Sequence, residues 1–278
     1  MLGTAMQQAR VNGAALEFEV TGSGEPVLLI SPVLADGFLP LLSEPALADR
    51  HRLITYHRRG WAGSTHAPGP VSIEDHAADA AALLDHLGVR RAHVAGHSSG
   101  ASIALQLAFD HPDAVHSLSL LEPSLFSVPA AAAFFQRVGP AFDLYAAGDR
   151  DAALAAFMTV VSGLEWSACR AVLDDRVPGA VARAVDDADT FFGVELPSLT
   201  RWTFDAAQAA ALRQPVLSVL GTDTEPLWME VAGLLRAWFP RVEECVIADA
   251  GHLLHLQRPE PVARGVAAFL GRHPLRDG

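Results

Sequence analysis

Val94-Ala95-Gly96-His97-Ser98-Ser99-Gly100-Ala101 decides how this chain is read. The residues before it, Arg91-Ala92-His93-Val94-Ala95, suit a short buried strand, and Ala101-Ser102-Ile103-Ala104-Leu105 opens a helical pattern. Between them Gly96, Ser98 and Gly100 form G-x-S-x-G. A serine hydroxyl is a poor nucleophile until it is lifted clear of its surroundings and given a base. A strained strand-to-helix turn does the lifting, and glycines on either side remove side chains that would clash there. The helix start adds unpaired N–H groups and a positive dipole end beside the serine.

Working outward, apolar runs and helical patterns alternate. Residues 14–21 alternate like a half-exposed strand, while 26–30 and 52–56 are continuous apolar runs of the buried parallel type. Helical patterns at about 72–87 and 100–111 alternate with strands near 91–96 and 115–121. This predicts an α/β fold around a mostly parallel sheet with helices on both faces. From about 125 to 205 the texture changes: Ala, Phe, Leu and Val recur at helical spacing with no strand between them. Pro129, Gly139-Pro140, Pro178-Gly179 and Pro197 divide that stretch into four or five helices. The expected organisation is a core of residues 1–124 and 206–278 with a helical lid at 125–205 over the active-site edge. Strands resume at 215–220 and 244–247, and a helix at about 259–271 closes the chain.

Composition narrows the function. Half of the 278 residues are hydrophobic, enough for one large core. The formal net charge of −12 argues against nucleic acid or an anionic membrane as partner. All 20 basic residues are Arg, which we read as coding bias and not as chemistry. Cys169 and Cys245 stand alone in unlike contexts, so neither a disulfide framework nor a metal site is expected, and no cofactor is implied. The first residues lack a charged-then-apolar signal and no run of 18 apolar residues occurs, which places the protein in the cytoplasm as an expectation. Oligomeric state stays open, with a homodimer among the options.

With the elbow at Ser98, the R-G-W-A-G-S turn at Arg59 to Ser64 and a late Ala250-Gly251-His252, the chain resembles the α/β-hydrolase fold over essentially its whole length. Serine first and histidine last is the order that fold uses. Ala62 stands where that turn usually has glycine. His252, behind a glycine and after the last strand, is the expected general base, with an imidazole suited to taking and returning the serine proton. His255 is expected to pack near it, and His97 to point the other way out of the turn as a structural residue.

The acid departs from the family pattern. Members commonly carry Asp three residues after a glycine ending the penultimate strand; here that position, after Gly221, is Thr224, flanked by Asp223 and Glu225. Glu122, ending the strand next to the elbow, is the preferred candidate, with Asp223 and Glu225 as alternatives. Its neighbouring strand is expected about 5 Å away, and a buried carboxylate there needs a partner such as an imidazole N–H. A subset of the fold takes its acid from that strand, and the elbow Ser98 to Ser102 resembles zearalenone-type lactonases. The usual His-Gly of the oxyanion loop is replaced by Ser31-Pro32; Pro32 has no N–H, so Val33 and Ser99 are the expected main-chain donors. Asp36 is expected at the site entrance or capping the next helix. Leu34 and the lid aromatics Trp166, Phe191, Phe192 and Trp202 are candidates for an apolar substrate pocket.

The expected activity is hydrolysis of a hydrophobic ester or lactone through an acyl-enzyme. Carbon–carbon bond hydrolysis of a meta-cleavage diketone, or a biosynthetic role, uses the same serine and histidine. A non-catalytic small-molecule receptor is the reading of a different class. Ser98 in place of an Asp nucleophile speaks against epoxide or haloalkane hydrolysis.

Overall fold

The computed structural model describes residues 6–66 and 69–275. The first five residues, where the stretch read for a targeting signal begins, lie outside the described residues. Eight strands form one sheet: β1 (Gln7–Val11), β2 (Ala14–Thr21), β3 (Glu25–Ile30), β4 (His51–Tyr56), β5 (Ala92–His97), β6 (Val115–Leu121), β7 (Val216–Gly221) and β8 (Glu243–Ile247). Their order is β1-β2-β4-β3-β5-β6-β7-β8, with β2 antiparallel to β1 and β4 and every other pair parallel. Alternation along β3 assigns its two faces to different cores. Leu28 and Ile30 join the larger apolar cluster, and Val27 and Leu29 the cluster on the other face.

Seven strands coincide with the sequence reading; β1 does not appear in it. Its five residues, QQARV, bury only Ala9 and Val11, too weak a pattern to register. The signal lay in the turn instead: Asn12 and Gly13 both take positive φ, 44° and 74°, as a two-residue hairpin requires. The helix Pro226–Trp238, after β7, is likewise absent from that reading.

Between β6 and β7 the described residues contain helices and no strand. Ala130–Ala146, Arg150–Ser162, Trp166–Arg176 and Ala180–Asp186 are followed by short turns ending at Leu196–Arg201, among them the π-turn Phe191–Glu195. Pro178-Gly179 breaks the chain as expected, with Gly179 at φ 81°. Pro140 does not: it sits inside Ala130–Ala146. An interior proline costs about 3 kcal/mol. The buried face of that helix (Ala131, Phe134, Val138 and Ala141) holds it together through packing. Among the described residues no single helix is long and apolar enough to cross a membrane.

The topology brings the chemistry to one edge. β5 and β6 are neighbours with His97 opposite Leu121, so Ser98 and Glu122 leave adjacent strands at the same level.

Candidate active site

Ser98 sits at φ 54°, ψ −121°, a conformation that side-chain-bearing residues rarely adopt. Its N–H donates to the Leu121 carbonyl at 3.0 Å, tying the turn to the end of β6. The flanking glycines answer to space and not to φ. A Cβ on Gly96 would stand 2.3 Å from the Gly100 carbonyl oxygen, and one on Gly100 would stand 2.1 Å from that of Ile30. The elbow therefore exists only while both positions are glycine.

Glu122 also takes a positive φ, 44°, and is 2% exposed. Three donors satisfy its carboxylate. The Gly221 N–H reaches Oε1 at 2.9 Å; the Thr224 hydroxyl and the His252 Nδ1–H reach Oε2 at 2.8 and 2.7 Å. Thr224, at the position where members of the fold commonly carry an acid, is thus a donor to Glu122. Burial pushes the Glu122 carboxyl up, against the lowering by its Gly221 and Thr224 donors. Burial likewise holds His252 below the ordinary imidazole range, which favours the neutral ring. The alternative acids are elsewhere: Asp223 accepts from the Thr222 hydroxyl at 2.9 Å, and Glu225 is paired with Arg137. Among the described residues neither bonds His252.

His252 lies on the loop after β8, stacked on Trp228 with ring centroids 3.6 Å apart. Trp228 belongs to the helix that the sequence reading lacked. His97 does not point away from the site. Its ring lies 4.5 Å from that of His252, its Nε2–H donates to the His252 carbonyl at 2.8 Å, and His255 packs 4.1 Å behind it. His97 ends β5, and its side chain falls on the face covered by the 252–255 turn.

Ser98, Ser99, Val33, Leu34 and His252 line one cavity, and Phe191 joins them from the helical segment. Phe134, Phe157, Leu196 and Trp228 make most of its remaining wall apolar. The Ser98 hydroxyl is hydrogen-bonded to Ser124 Oγ at 3.1 Å and makes no hydrogen bond to His252. Nucleophile–base contacts commonly tighten only when substrate is bound. Ser124 also escaped the sequence reading, although it stands only two residues beyond Glu122. Among the described residues the Val33 and Ser99 N–H groups have no acceptor, so two unpaired donors belong to residues that line the cavity with Ser98.

Three expected pocket residues lie elsewhere. Trp202 donates to Gln106 at 2.8 Å, Phe192 stacks on Tyr145 at 5.1 Å, and Trp166, at a helix start, packs against the larger core without lining the cavity. Helical spacing identified them as apolar but could not say which way each faces. Asp36 neither caps a helix with its side chain nor lines this cavity. It accepts from His57 Nε2–H at 2.9 Å and pairs with Arg183 at 2.9 Å.

Known proteins share this framework. Over 98% of its length the chain is 28% identical to the dihydrolipoyllysine-residue acetyltransferase component of the acetoin cleaving system of Pseudomonas putida, of which it covers 70%. It is 25% identical to a soluble epoxide hydrolase of Corynebacterium sp. strain C12, with 97% of each chain covered. Shorter matches at 35–38% identity span less than half the length of the relatives concerned. A thermophilic esterase from Thermogutta terrifontis superposes with a TM-score of 0.77 at 23% identity, covering 98% of this chain and 100% of that one. The family description "alpha/beta hydrolase fold" matches residues 36–259, a span that includes Ser98, Glu122 and His252. With most of the chain inside that match and its sheet built to the same plan, this protein belongs to the alpha/beta hydrolase fold family.

Proposed function

We propose that the protein is a serine hydrolase that cleaves a carboxylic ester or lactone of a hydrophobic small molecule through an acyl-enzyme. The observation that carries this reading is Ser98 on its strained elbow, sharing an apolar cavity with His252, whose Nδ1–H is held by the buried Glu122. Ser98 Oγ turns from Ser124 and attacks the carbonyl carbon while His252 Nε2 takes its proton. The Val33 and Ser99 N–H groups receive the oxyanion. Collapse breaks the carbon–oxygen bond, and His252 returns the proton to the leaving alcohol. Water then enters, His252 deprotonates it, and attack on the acyl-enzyme releases the acid and restores Ser98. Glu122 keeps the imidazole in one tautomer and stabilises its charged form. Residues 125–205 act as the cap, and their Phe, Leu and Val side chains select an uncharged, apolar acyl group.

Turnover of p-nitrophenyl esters, macrolactones and vinylogous diketones tests the reading. Ester or lactone cleavage is expected in wild type, with a loss of about 10⁵–10⁶-fold in Ser98→Ala. Cleavage of the diketone alone would favour carbon–carbon chemistry, and inertness toward all three would favour a receptor.

A further inference from the structure

Arg58, on the loop after β4, is 2% exposed and has two destinations. Its Nη2 donates to the Pro32 carbonyl at 2.8 Å and to Glu195 Oε1 at 3.1 Å, and its Nη1 to Glu195 Oε2. Glu195 is 1% exposed, ends the π-turn Phe191–Glu195, and also accepts from Trp61 Nε1–H at 2.9 Å. The Pro32 carbonyl and the Val33 N–H belong to one peptide unit. The described peptides contain no cis bond, so the two groups point in opposite directions. Fixing the carbonyl toward Arg58 aims the N–H the other way, and Val33 lines the cavity together with Ser98.

A buried ion pair is a poor way to fill space, because desolvation commonly offsets its attraction and apolar side chains of similar volume stabilise as well. Here the pair joins the Pro32–Val33 peptide at the cavity wall to the π-turn Phe191–Glu195. Adjacent contacts hold the same junction: Thr190 Oγ1–H donates to the Gly60 carbonyl at 2.6 Å, and the Ala62 N–H to Asp187 Oδ2 at 3.1 Å. Gly60 has φ 90°, and a Cβ there would lie 2.6 Å from Thr190 Cγ2, so the approach requires glycine.

We propose that Arg58 and Glu195 are positioning residues for the oxyanion hole: Arg58 fixes the Pro32–Val33 peptide, and Glu195 makes that orientation depend on the docked π-turn of the cap. The hole is then complete only when the cap is seated. This deepens the serine-hydrolase reading and rests on it.

The test replaces the pair as a unit, Arg58→Met with Glu195→Leu, leaving no buried charge unpaired. Turnover of a p-nitrophenyl ester is read beside inhibition by an alkyl trifluoromethyl ketone. Ser98 Oγ adds to that carbonyl, the proton passes to His252, and the resulting oxyanion needs the same two N–H groups. A kcat loss of about 10- to 100-fold is expected, with ketone inhibition weakened in parallel. KM should stay within about threefold, and the melting temperature should fall by only about 2–8 °C, the cost of leaving the Trp61 N–H and the Pro32 carbonyl unpaired. Wild-type kcat with unchanged ketone inhibition overturns the proposal. Should the double variant fail to fold, Arg58→Lys decides, since a single ammonium keeps the charge but not the fork that spans Pro32 and Glu195. The same kcat loss is expected there, and wild-type kcat overturns. An inert wild type removes the serine-hydrolase reading itself, whereas an active wild type with an equally active variant removes only the positioning role.

Discussion

Glu122 accepts hydrogen bonds from a main-chain N–H, a hydroxyl and an imidazole while almost wholly out of water. Losing its charge would leave His252 free to adopt the wrong tautomer, as a buried orienting carboxylate normally prevents. Glu122→Gln is therefore expected to lower kcat by about 10³–10⁴-fold, while Asp223→Asn leaves it near wild type. Thr224 offers a second arm of the same experiment, because its hydroxyl stands 2.8 Å from the oxygen that holds His252. Adding Thr224→Asp to Glu122→Ala should return activity about tenfold or more above Glu122→Ala alone. Steady-state kinetics on the four variants checks both expectations. An inactive Asp223→Asn beside an active Glu122→Gln would place the acid after β7 and overturn the assignment to Glu122.

The elements show what could be read from residues alone. β3, β4, β5 and β6 are largely buried and rich in apolar residues, and that composition with the flanking turns gives them away before any coordinates. The elbow was equally legible, because G-x-S-x-G between a strand and a helix has few other uses. Side-chain direction was not. The facing of His97, Trp166, Phe192 and Trp202 depends on backbone rotation and on packing partners distant in sequence. The same limit concealed Trp228 and Ser124, each next to the site only because the sheet order brings β5, β6 and β7 side by side. Arg58 and Glu195, 137 residues apart, gave no sequence signal of their pairing. Pro140 shows packing prevailing over local propensity.

Across the whole molecule, burial of histidine makes stability depend on pH. His76, His97 and His255 are buried, and each has at least one ring nitrogen without a partner among the described residues. Burial lowers all three below the ordinary value of 6.5, reinforced at His76 by Arg58, at His97 by His252 and at His255 by His97 and His252. A lowered folded pKa means the unfolded chain binds more protons between the two values. Their contribution is therefore complete above about pH 6.5 and is lost as pH falls, by up to about 1.4 kcal/mol per pH unit for each ring. His57 runs the other way. Burial opposes its charge, but hydrogen bonds to Asp36 and Glu17 raise it, so its stabilisation is present below the ordinary value and lost as pH rises through the raised one. Maximum stability is expected near neutrality, with the urea midpoint falling steeply between about pH 6.5 and 5. A midpoint unchanged down to pH 5 would contradict this.

Acylation of Ser98 Oγ is the step on which the proposed mechanism depends. Intact-mass and peptide analysis after exposure to a fluorophosphonate tests it most directly. One adduct per chain on the peptide containing Ser98 is predicted, slowed in Glu122→Gln and absent in Ser98→Ala. An unmodified wild type, or an adduct on any other residue, would contradict the account.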